Sequence, residues 1–270
     1  MNVERRLTTL IAVTVVVLAL ATLWDLFRKP SRPPRAPEQA IALSTPVVEP
    51  DPATRAPVPA PAVAAPPPPP AERTPSYLEL LARSQTRRRI RASAGLTYLD
   101  EIVAESPDSM LHRWDNRVQR PVRVFLGSDT IANFQSSFLD AVRAAFQRWE
   151  QAGVGVRFDP AADSVSAEVY VGWRKQFDIE RTGQTDVAWD DEGHLVRAVV
   201  TLATHDPAGR PLGAEDVRVV ALHEIGHLIG LDHSSDSTDL MYAKTTVRDL
   251  SARDLATALL LYALAPGSLR

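Results

Sequence analysis

Between Asp129 and Ala152 the apolar side chains Phe134, Phe138, Val142, Ala145, Phe146 and Trp149 recur three or four positions apart. That spacing lays them along one face and predicts a long amphipathic helix. Upstream, Pro121 to Leu126 alternates and is β-branched, which predicts a strand, and Val154–Asp159 and Ala167–Trp173 read as further strands. Gln184–Trp189 and His194–Leu202 read as the arms of a hairpin, with Asp190, Asp191, Glu192 and Gly193 supplying the turn. A second helix is predicted from about Ala214 to Ile229. A last one starts at Ser251, where Ser251 and Asp254 have the spacing of a capping box. Residues 107–270 thus read as one compact α+β domain.

The first hundred residues follow other patterns. Leu7 to Trp24 is apolar apart from four threonines, about one bilayer span, with Arg5 and Arg6 before it and Asp25, Arg28 and Lys29 after it. Residues 1–29 are therefore a membrane anchor or a signal peptide; Ala19-Leu20-Ala21 has the form of a cleavage site, while Leu23, Trp24, Leu26 and Phe27 extend the apolar character past it. Arg28, Lys29, Arg32 and Arg35 outnumber Arg5 and Arg6, which alone would keep the downstream chain in the cytoplasm. The first charges and the export habit of the downstream domain argue the other way. The expectation is a membrane-anchored, extracytoplasmic domain, or a secreted one if the segment is cleaved. Residues 30–75 hold 16 of the 22 prolines and almost no large apolar residue, so they read as an extended linker. Residues 76–106 form a helical segment ahead of the domain, one or two short helices interrupted at Gly95. The basic run Thr86–Arg91 within it offers a patch for nucleic acid or phospholipid, but reads rather as a solvated helix face or an exposed protease-sensitive segment.

Composition narrows the chemistry. The 270 residues carry a formal charge of −3, which gives no global electrostatic reason to bind nucleic acid. There is no cysteine, so any transition-metal ligand must be His, Asp or Glu.

Three of the six histidines fall within eleven residues, in His223-Glu224-Ile225-Gly226-His227 and on to Gly230 and His233. On a helix, His223 and His227 project from one face, near enough to share an ion, with Glu224 beside them. A zinc ion on neutral nitrogens acidifies a coordinated water, and a neighbouring carboxylate can take its proton. A third ligand is needed. On a continued helix His233 would lie about 240° round and roughly 9 Å further along, so the chain must turn back. Gly230 stands where a helix ends in a left-handed residue, and such a turn can return His233 to the ion. No glutamate follows Glu224; Asp232 and Asp236 are the substitutes for His233.

His223, Glu224, His227, Gly230, His233 and the later Met241 together resemble the signature of the metzincin zinc metalloproteases. Ser234, directly after the third histidine, looks like the matrixin family, and Asp239-Leu240-Met241-Tyr242 and Leu250–Ala263 are similar to the matrixin methionine turn and C-terminal helix. The resemblance extends over about residues 107–265. It implies a twisted five-stranded mixed sheet with two long helices, a zinc cleft, and a small C-terminal subdomain holding Met241 beneath the metal. It further implies that an edge strand near Gln184–Trp189 pairs with an extended protein or peptide substrate.

The chain also departs from that family. Without cysteine it lacks the prosegment switch of animal matrixins. For a second zinc the candidates are His194 and His205, too few for such a site, and for Ca²⁺ the turn residues Asp186, Asp190, Asp191 and Glu192. Tyr242 is one place too early to be a fifth ligand, and Met241 is read as packing, a thioether being a poor zinc ligand. The expected function is a zinc endopeptidase in which His223, His227 and His233 hold Zn²⁺ and Glu224 is general base, then general acid. The alternative is a membrane-tethered protein-binding module with a structural or vestigial zinc site.

Overall fold

The computed structural model describes residues 74–106 and 109–270; the expected anchor or signal peptide and nearly all of the proline-rich linker lie outside the described residues. No helix among the described residues is long and apolar enough to cross a membrane.

Five strands form one mixed sheet: β2 (Arg117–Leu126), β3 (Val156–Pro160), β4 (Val169–Arg174), β5 (Gly183–Trp189) and β6 (Leu195–Ala203). Their order is β3-β2-β4-β6-β5, all neighbours parallel except β5 against β6. The β5–β6 hairpin turns where Asp190-Asp191-Glu192-Gly193 predicts it, with Gly193 at φ 83° and the Asp190 carboxylate accepting the N–H groups of Glu192 and His194. The antiparallel arm leaves β5 as the outer edge of the sheet. A short pair, β1 (Met110–Leu111) with β7 (Gly267–Ser268), has no counterpart in the predicted elements. Its strands are only two residues each, too brief for alternation to show.

Helix α3 (Ser136–Gln151) buries Phe138, Val142, Ala145, Phe146 and Trp149, as the spacing requires. It begins seven residues later than the predicted Asp129. Asp129 instead accepts the N–H groups of Thr130 and Ile131, and Asn133 adopts φ 66° while its amide donates to the carbonyls of Thr204 and Leu212. Asp and Asn stabilise such turns through their own side chains, and here that local chemistry overrides the apolar period. Helix α4 (Ala214–Leu228) packs on α3 and on β5 and β6. The Trp149 indole N–H on α3 donates to Leu222 O on α4, 2.9 Å.

Residues 76–106 pack against the domain. They form α1 (Tyr77–Ala92) and α2 (Leu99–Glu105), broken at Gly95 with φ 82°, and bury Ile90, Tyr98, Leu99 and Ile102 in the common core. The basic run is not simply solvated. Arg87 donates to the carbonyl of Leu269 and Arg89 to that of Ala263, and one turn earlier Arg83 reaches the carbonyl of Arg270. Helix α5 (Ala252–Tyr262) starts with the predicted capping box: Ser251 Oγ accepts from Asp254 N at 2.9 Å and Asp254 Oδ2 from Ser251 N at 2.8 Å.

Candidate active site

Helix α4 stops where the sequence says it must. Gly230 N–H donates to His227 O (2.9 Å) and Leu231 N–H to Gly226 O (3.0 Å), the paired bonds of a Schellman cap, with Gly230 at φ 100°. The last helical carbonyls are also occupied, Leu228 O by the Trp114 indole and Ile229 O by the Tyr262 hydroxyl. A Cβ on Gly230 would stand 2.0 Å from His112 O, so glycine is needed for space as well as for handedness.

The turned chain brings the third imidazole back. His227 Nε2 lies 3.2 Å from His223 Nε2, and His233 Nε2 lies 3.3 Å from His223 Nε2. His223 Nδ1 faces Leu240 O at 2.8 Å and His227 Nδ1 faces Leu231 O at 2.9 Å. A carbonyl only accepts, so each Nδ1 carries the proton and each Nε2 presents a lone pair. Nitrogens with lone pairs facing one another cannot hydrogen-bond. Ligands 2.0–2.1 Å from a tetrahedral centre, however, stand about 3.3 Å apart, so the spacing fits an ion between them. Burial and the neighbouring imidazoles push His227 down to about 3, and burial lowers His223, which keeps both in the neutral ligating form. Among the described residues these three histidines are the one group of three or more His, Asp or Glu whose ligand atoms lie within 4.8 Å of one another.

The two further metal sites weighed from sequence do not assemble. His194 sits beside Asp190 and Glu192 in the hairpin turn, while the His205 ring contacts Thr204 Oγ1 at 3.0 Å. Asp186 is held by the Gln184 amide and Asp190 by turn N–H groups, so the acidic residues serve local hydrogen bonds instead of converging on a cation. Asp232 accepts from the His233 N–H, and Asp236 from Thr238. Neither substitutes for His233 in the cluster.

Glu224 is 5% exposed and opens onto the same cleft. Its Oε2 accepts from Thr185 Oγ1 at 2.7 Å, and burial raises its carboxyl to about 7 against the lowering effect of that bond. Sequence reasoning missed two glycines that shape this region. A Cβ on Gly183 would lie 2.3 Å from Glu224 Oε1, and one on Gly226 would lie 2.3 Å from the sulfur of Met241. Met241 is fully buried against the helix, between the positions of His223 and His227. The only sequence signal for Gly226 was a helix-weakening residue inside a strong helical pattern.

The cleft measures 1270 Å³ and runs between β5 and the histidine face of α4. Gly183, Thr185 and Trp189 of β5 line one side, and Ala243, Lys244 and Thr245 lie along another part of the wall.

The sequence profile described as Matrixin matches residues 124–263, just over half of the 270-residue chain. The chain is also 32% identical over 133 residues to "Metalloendoproteinase 1-MMP" of Arabidopsis thaliana, a match covering 44% of this chain and 36% of that protein's length. The profile spans the end of β2, strands β3 to β6, the histidine helix, its turn and α5, and so the chain belongs to the matrixin family.

Proposed function

We propose that this chain is a zinc-dependent endopeptidase acting on extended segments of protein or peptide. The observation that carries the reading is the convergence of three imidazole Nε2 atoms, those of His223 and His227 with lone pairs inward, beside a buried glutamate in an open cleft. His223, His227 and His233 would hold the metal. When bound, zinc supplies a Lewis acid for the peptide carbonyl and makes water easier to deprotonate.

The chain's own residues do the rest. Glu224 accepts a proton from the attacking water and returns it to the departing amine. Thr185 holds the Glu224 carboxylate by its Oε2, and Gly183 leaves the room that carboxylate occupies. The outer edge of β5 offers backbone hydrogen bonds to an extended substrate, aligning it along the cleft. Met241, in a methionine turn, supports the helix from below as packing and not as a ligand. Residues 107–270 would form the catalytic domain, with the leading segment anchoring it to a membrane or directing its export.

A protein-binding module has no use for a buried proton acceptor beside an ion. Glu224→Ala should retain stoichiometric zinc while losing peptide cleavage by several orders of magnitude. Equal cleavage by wild type and variant, or wild-type cleavage undiminished by a chelator, would reject the reading.

A further inference from the structure

The loop from His233 to Met241 carries the third histidine at one end and the buried methionine at the other, with Leu240 O on the His223 ring in between. What fixes it is a knot of charge. Asp239, 1% exposed, accepts from Ser234 Oγ (2.5 Å), Ser251 Oγ (2.7 Å) and Arg253 Nη1 (2.8 Å). Asp254, fully buried, accepts from Leu240 N at 2.9 Å.

Two members of this knot come from outside the span that matches the family. Glu101 on α2 accepts from Arg253 Nη2 at 2.9 Å and from the Ser235 backbone N–H at 3.0 Å. Tyr98, just before α2, donates its hydroxyl to Asp254 Oδ1 at 3.0 Å. Ser235 lies two residues beyond His233, so the Glu101 carboxylate grips the loop beside the third ligand and also orients the guanidinium that binds Asp239.

We propose that Glu101 is a positioning residue for His233, which makes the α2 segment a permanent part of the metal site. The inference rests on the three-histidine metal reading above. Residues supporting a ligand from outside the coordination sphere change metal affinity by about 10–100-fold when removed. Glu101 stands in that relation to His233: it lies outside the histidine cluster, and it holds the backbone two residues beyond the imidazole.

The test measures Zn²⁺ affinity by chelator competition and the visible spectrum of the Co²⁺-loaded protein. Both are recorded for wild type, Glu101→Gln, Glu101→Ala and a surface control, Asp140→Asn. Glu101→Gln keeps an acceptor for the Ser235 N–H and removes the charge that orients Arg253. It should weaken zinc about 10-fold, Glu101→Ala more, and both should change the cobalt bands while Asp140→Asn changes neither. Circular dichroism establishes that each variant is folded. If Glu101→Ala does not fold, Glu101→Gln decides. Folded Glu101 variants with wild-type zinc affinity and wild-type cobalt bands would overturn the proposal and leave the endopeptidase reading standing. Wild-type protein that takes up no metal would overturn both.

Discussion

The sulfur of Met241 occupies the place where a side chain on Gly226 would begin: a Cβ there would stand 2.3 Å from Sδ and 2.9 Å from Cε. Met241 and Gly226 are therefore one fitted pair. The glycine sits in the helix between two of the histidines, and its missing side chain lets the thioether press against the backbone that spaces them.

Gly226→Ala should show this coupling. Overpacking a full core costs about 1–3 kcal/mol, offset by about 1 kcal/mol of helix propensity. The expected result is a net loss of up to about 2 kcal/mol in urea unfolding, with weakened zinc binding. Met241→Ala in the same background removes the collision, so the double variant should be more stable than the two single losses would sum to. Strict additivity would show that the two residues do not press on each other.

Gly183→Ala should spare the metal and harm turnover. The added carbon would enter the space of Glu224 Oε1 and Cγ, displacing the carboxylate from Thr185. We expect at least a ten-fold fall in kcat, about 1.4 kcal/mol, with unchanged zinc content by elemental analysis. Unchanged kcat would mean that the Glu224 position does not depend on this contact.

Gly230 is required twice over, by its φ of 100° and by the His112 carbonyl 2.0 Å from a would-be Cβ. Gly230→Asn separates the two demands, because asparagine tolerates the left-handed region and still needs the space. Both Gly230→Ala and Gly230→Asn should lower the thermal midpoint sharply and lose zinc. An asparagine variant close to wild type would show that handedness alone matters.

Stability should depend on pH through Glu101. Burial alone would raise its carboxyl, but the Ser235 N–H and the Arg253 guanidinium hold it below its ordinary 4.5. A depressed carboxyl contributes stability that is present above the unfolded value and lost as pH falls through the folded one. Arg253 also faces Asp236 and Asp239, so the guanidinium keeps partners when Glu101 is changed. Glu101→Gln should therefore melt below wild type at pH 7, and the gap should close as pH falls below about 4.5. A constant gap down to pH 3 would contradict the assignment.

Sequence periodicity and motif spacing together reach the five strands, the two long helices and the histidine trio, because each of those is encoded within a few neighbouring positions. Gly230 is legible for the same reason: a helix, a stop and a returning ligand lie within eleven residues. Contacts made at long range are not. Gly183 meets Glu224 across 41 positions and Glu101 meets Arg253 across 152, and no local pattern records which distant group a small or charged residue will face. The start of α3 escapes the periodicity because the apolar repeat continues through Phe134 while Asp129 and Asn133 spend their side chains on a turn.

The exposed rim of β5 also has a darker side. Among the described residues no strand pairs with its outer edge, and a row of unsatisfied amides will accept a strand from a second molecule as readily as one from a visitor, the first step of aggregation. Asp186 stands midway along that edge, exposed. Two copies zipping together antiparallel about that position would set carboxylate against carboxylate, whereas a passing chain of another sequence brings no such repulsion. At that register the Asp186 carboxylate opposes pairing of the rim with its own copy.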